Sequence, residues 1–212
     1  MNNPLRKPFS YTFFSSSLIL IAVNFIFFFL TKIFPRSVPY LSLCPGLVIE
    51  DRMYWQFVSY MFVHGNFAHI FSNMIGLFFF GLTVEKAIGS KEFLMIYFTC
   101  GIMSGLLSFG YYVLTGTYAV FLMGASGALF AIMFAYAVIF PRANIYIWGI
   151  LPIPSPLLVV LYAAIEVFSQ ITGYKSNVAH YAHLFGFLCS ILYFKIRMGI
   201  NPFKVWKNAY FD

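Results

Sequence analysis

From Phe93 to Pro141 the chain carries no charged side chain. A bilayer crossing takes about 20 apolar residues, so this run is too long for one helix and suits two. Thr115, Gly116 and Thr117 supply a polar turn that divides it, which predicts spans over residues 94–114 and 122–140. The rest of the chain cannot supply a soluble surface. Only 9% of residues are charged and 61% are hydrophobic, against about 25% charged in an ordinary soluble domain. The mean hydropathy of +0.84 fits lipid as the solvent, and the 28 phenylalanines exclude the disordered class.

Charged residues delimit the remaining spans. Lys7 and Lys32 bound a stretch that predicts a first span over 10–31. Its apolar core exceeds the roughly 7–15 residues of a signal peptide and lacks a small-residue cleavage site, so it reads as a retained helix. Pro35, Pro39, Pro45, Glu50, Asp51 and Arg52 make residues 32–62 a long loop, expected to lie partly in the membrane because apolar and aromatic residues fill the gaps. Further spans are expected over 67–84, 155–170 and 178–193, the fifth opening behind Pro152 and Pro154 with Pro156 in its first turn. The expected fold is an all-α polytopic membrane protein, a single domain over 1–212 with six transmembrane helices and no internal repeat. An even number of spans puts both termini on one side. That side holds Arg6, Lys7, Lys86, Lys91, Arg142, Lys195, Arg197, Lys204 and Lys207, whereas Lys32, Arg36, Arg52 and Lys175 lie opposite, so the termini are expected to be cytoplasmic. The net charge of +7 is thereby assigned to lipid headgroups and not to nucleic acid. Cys44, Cys100 and Cys189 are odd in number and far apart, and imply neither a disulfide framework nor a metal cluster.

In this topology the second, fourth and sixth spans all begin at the outer face. His69, Asn73, Ser126 and His183 fall within the first two turns of those spans and therefore at one depth. His69 and Asn73 are four apart and share a helix face. Polar groups in lipid are costly unless paired, which makes such a cluster a candidate site. A serine becomes a useful nucleophile beside a histidine base. The Asn73 amide, a His69 ring nitrogen and the Ser126 backbone N–H could serve the oxyanion of an acyl transfer. With Glu85 near the inner end of the second span and Glu166 on the fifth, no carboxylate is expected beside His183, so the reading is a dyad and not a triad. Each residue has a plainer role available. Gly124, Ser126, Gly127 and Ala128 also read as a close-packing surface, His183 and Asn73 as helix-to-helix hydrogen bonders, and Glu85 as a structural tie. His64 reads as a residue near the water boundary that could organise the site. No His-Glu-x-x-His pattern or aspartate pair supports metal or aspartyl chemistry, and position 128 is alanine, not the second glycine of a soluble-hydrolase elbow.

Four segments together resemble the rhomboid intramembrane serine proteases in their compact six-helix, prokaryotic form. They are His64 to Asn73 (HGNFAHIFSN), Gly81 to Glu85, Gly124-Ala125-Ser126-Gly127, and Ala182-His183-Leu184-Phe185-Gly186, in that order over residues 55–190. The resemblance implies a Ser126 nucleophile, a His183 base, His69 and Asn73 at the oxyanion, Glu85 as a structural acid, and no cofactor. It also implies single-span membrane-protein substrates, entering beside the fifth helix and cut near the outer surface of a plasma membrane. A catalytically silent member that escorts membrane clients is the rival, although such a protein usually lacks the serine or the histidine. Gln56 stands where the family often has arginine, Val178 and Ser190 where it has small residues, and Phe130 where some members have tyrosine.

Overall fold

The computed structural model describes residues 6, 9–147, 149–172 and 180–211. Helix α1 (Ser16–Ile33) opens where two serines meet a carboxylate. Ser16 and Ser17 donate their backbone N–H groups and hydroxyls to Glu85 over 2.5–2.9 Å. An anion at the positive end of a helix satisfies donors that have no intrahelical acceptor, and α1 starts there instead of near residue 10.

Residues 34–66 form a 3-10 turn at Pro35–Ser37, the short helices α2 (Val38–Leu41), α3 (Pro45–Glu50) and α4 (Gln56–Ser59), and a second 3-10 turn at Tyr60–Phe62. Buried Gln56 ties these pieces together. Its side-chain oxygen accepts from the Cys44 N–H at 2.9 Å, and its amide donates to the carbonyls of Pro39 at 2.9 Å and Tyr40 at 3.3 Å. Leu43 exchanges backbone hydrogen bonds with Leu122, which pins the segment to the chain ahead of the central helix.

Helices α5 (Phe67–Gly76) and α6 (Leu82–Ile88) form one rod through a wider π turn at Leu77–Gly81, followed by α7 (Ser90–Leu114) and α8 (Ser126–Ile139). Beyond α8, β1 (Asn144–Ile147) and β2 (Leu151–Pro154) pair antiparallel, with Tyr146 opposite Pro152. The proline cluster, read from the sequence only as a helix breaker, is accommodated because a two-stranded ribbon has open edges where a missing N–H costs little. Helix α9 (Ser155–Ile171) follows directly. Helix α10 (His180–Tyr193) continues to Met198, and the chain then bends by 93° into α11 (Pro202–Tyr210), a helix outside the six-span expectation. The expected start of the sixth span, with Val178, lies outside the described residues.

Among the described residues three helices, Ser16–Ile33, Phe67–Ile88 and Ser90–Leu114, are long and apolar enough to cross a bilayer. The bent pair His180–Met198 and Pro202–Tyr210 makes a fourth only when counted as one span, while Ser126–Ile139 and Ser155–Ile171 are apolar but shorter. The chain is thus a helical integral membrane protein, with exposed Phe29, Phe79 and Phe168 suited to lipid. Helix α8 is central, packed by α7, α9 and α10. It meets α10 so closely that a Cβ on Gly186 would lie 2.2 Å from the Gly127 carbonyl oxygen. One turn further on, the Ser190 hydroxyl donates to the Ala131 carbonyl at 2.9 Å, so a small side chain there keeps the contact close.

Candidate active site

The chain entering α8 is held extended. Leu122 pairs with Leu43, and the Gly124 N–H donates to the Tyr60 carbonyl at 2.9 Å. The helix therefore begins only after Ala125, four residues later than the sequence predicts. Ser126 occupies its first position, where a backbone N–H has no intrahelical acceptor. Gly124 has φ +119°, a conformation that favours glycine. A Cβ there would sit 2.7 Å from His69 Nε2 and 3.7 Å from Asn73 Nδ2. Glycine at 124 thus lets both side chains approach the turn that precedes the serine. Gly127 opens the opposite side, since a Cβ on it would collide with the Ser104 hydroxyl, which donates to the Ala182 carbonyl.

A cavity of about 1100 Å³ opens at this end of the bundle, and Ser126, His183, His69 and Asn73 all border it. Asn66 caps α5 by accepting from the His69 N–H at 2.8 Å, which fixes His69 in the first turn and Asn73 one turn below it. Asn73 is 4% exposed, and its Nδ2 has no hydrogen-bond partner among the described residues. A buried, unpaired amide is costly, and Asn73 is one of the residues that line the cavity. His64 lies behind, its ring 5.0 Å from that of His69, with Nε2 3.5 Å from the Ala125 N–H. Burial, reinforced by His69, pushes the His64 pKa down to about 4. The ring is therefore neutral at working pH and able to accept from the turn that leads into Ser126.

The His183 ring is held on two sides. Phe130 stacks on its face at 4.1 Å and 13°. On its edge, Nδ1 lies 2.8 Å from Glu166 Oε1, and the other oxygen of the same carboxylate pairs with His180 Nδ1. This corrects the expectation that no acid stands beside His183. Glu166 precedes the end of α9 at Ile171 by five residues, a rise of about 7.5 Å. Counted from that end, its depth matches His183, three residues inside the described start of α10. With Nδ1–H donating to the carboxylate, Nε2 is left as an acceptor. Ser126 and His183 share the cavity without a hydrogen bond between them among the described residues. Among the described residues no three His, Cys, Asp or Glu side chains are grouped to hold a metal ion.

A model of the Rhomboid domain matches residues 51–199. RHOMBOID-like protein 12, mitochondrial, of Arabidopsis thaliana is 32% identical over 157 residues, covering 67% of this chain and 46% of that protein. Rhomboid protein 1, mitochondrial, of Saccharomyces cerevisiae is 30% identical over 134 residues, covering 62% and 38%. Rhomboid protease GlpG of Haemophilus influenzae is 25% identical over 194 residues, covering 91% and 93%. The chain thus spans less than half of the two mitochondrial relatives and nearly all of the bacterial one.

Proposed function

The chain belongs to the rhomboid family, and on that premise we propose that it is an intramembrane serine endopeptidase that hydrolyses peptide bonds in or near the transmembrane segments of membrane-protein substrates. The observation that carries this reading is the one cavity shared by Ser126, His183, His69 and Asn73. In the proposed mechanism His183 Nε2 takes the Ser126 proton as Oγ bonds to the substrate carbonyl carbon. The resulting oxyanion is met by the Asn73 amide, the His69 ring and the Ser126 N–H, which also lies at the positive end of α8. The C–N bond then breaks, and the imidazolium gives its proton to the leaving amine. Water repeats the sequence on the acyl-enzyme and regenerates the serine. Phe130 stacks on the base but offers no hydroxyl.

In this reading α1, the α5–α6 rod, α7, α8, α9 and α10 all cross the membrane, residues 32–62 lie partly within it, the termini are cytoplasmic, and the cavity opens outward. A prokaryotic plasma membrane fits the proposal. Substrates are single-span proteins whose helix is already weak, because an extended backbone is stable at this depth only inside a polar cavity.

Purified wild type and the Ser126→Ala and His183→Ala variants in liposomes test the proposal. Wild type should cleave a single-span substrate and label with a fluorophosphonate, and neither variant should do so. Folded wild type that does neither across several substrates, or that co-purifies with an uncleaved client, sinks the protease reading in favour of the escort.

A further inference from the structure

We infer that Glu166 is a positioning residue for His183, so that the base is held from α9 by a carboxylate shared with His180. His180 and His183 are three apart and lie on one face of α10. Glu166 reaches that face from α9, with one oxygen 2.8 Å from His183 Nδ1 and the other on His180 Nδ1. The Glu166 and His183 side chains are 8% and 10% exposed. A carboxylate this enclosed is tolerated only with charge-assisted partners, and both partners here are imidazoles.

The arrangement does more than hold two helices together. His183 also borders the cavity with Ser126, and Phe130 fixes the plane of its ring. Donation from Nδ1 leaves Nε2 bare and aimed by the only freedom the stacked ring retains. When Nε2 accepts the serine proton, the ring becomes a cation beside an existing anion. The contact is then stronger in the transition state than in the resting site, which is the condition for a contact to accelerate a reaction. No proton passes to Glu166; it orients and stabilises. Because the acid sits on α9, the base is competent only while α9 lies against α10.

The kinetic part of this inference rests on the protease reading, and its spectroscopic part does not. Glu166→Gln keeps the side chain's size and removes its charge. It should lower kcat about 100- to 1000-fold, somewhat less than loss of the acid in a soluble triad, with KM changed no more than about threefold. Unchanged kcat in active, folded protein overturns the inference and leaves the protease reading standing. Protein labelled with 15N-histidine, with His183 assigned through His183→Ala, supplies a readout independent of turnover and of whether the glutamine variant folds. Neutral wild-type His183 should carry its proton on Nδ1, and an Nε2–H tautomer overturns the inference whatever the kinetics.

Discussion

Two of the buried glutamates, Glu85 and Glu166, stand near opposite ends of the bundle and are satisfied in opposite ways. Glu85 is met by the N–H groups and hydroxyls of Ser16 and Ser17 and by the Ser90 hydroxyl, none of which titrates near neutrality. Glu166 is met by two imidazoles, one of them on the cavity wall. The first carboxylate is surrounded by donors that hold α1 against α6 and α7, and none of those donors changes charge near neutrality. The second has partners whose protons can move. Burial of an acid therefore marks structure or chemistry according to what donates to it, and the two ends should respond differently to substitution.

The sharpest separation is expected from Ser126→Ala, which should reduce cleavage by at least about 1000-fold while the thermal midpoint stays within a few degrees. Asn73→Ala removes a donor that has no other partner among the described residues and should lower kcat about 100- to 1000-fold with little change in KM. Retention of full kcat there would remove Asn73 from the oxyanion site. Gly186→Ala forces α10 away from the Gly127 carbonyl, and a shift of about 1 Å between base and nucleophile should cost up to about 100-fold in kcat. A measurable fall in thermal midpoint should accompany it. Glu85→Ala should invert the pattern. It strands donors at the start of α1 and should lower stability by about 3 kcal/mol or more, read as a loss of folded protein on heating in detergent. Its kcat per fluorophosphonate-labelled site should stay within about twofold. If Glu85→Ala slowed turnover as much as Asn73→Ala, the contrast between the two ends would collapse.

The meeting of Ser126, His183, His69 and Asn73 on one cavity was legible because each sits close to a helix start, and the ends of apolar runs can be read from composition. The contact of Glu166 with His183 was not legible, because rotation about the axis of α9 decides which face the carboxylate presents. The late start of α8 was not legible either. It depends on Leu122 pairing with Leu43, a contact across 79 positions that no local pattern encodes. The β1–β2 ribbon escaped for a different reason: Pro152 and Pro154 argue against strand in a central position, and only a ribbon with free edges excuses them. What Gln56 does in the first loop was not legible either: its buried side chain accepts from the Cys44 N–H and donates to the Pro39 and Tyr40 carbonyls, contacts that only the folded loop brings together.

Helix α8 has 14 residues and is therefore about 21 Å long, some 9 Å short of a hydrocarbon core about 30 Å thick. With its Ile139 end at one interface, Ser126 lies well below the other. The non-helical chain from Tyr118 to Ala125, pinned at Leu122 to Leu43, and the cavity above it occupy that shortfall. A protein whose central helix stops short must either draw the surrounding leaflet down or admit headgroups and water above the serine. On the proposed reading, the hydrolytic water needs no channel of its own: the mismatch between this helix and its solvent brings the aqueous phase to Ser126.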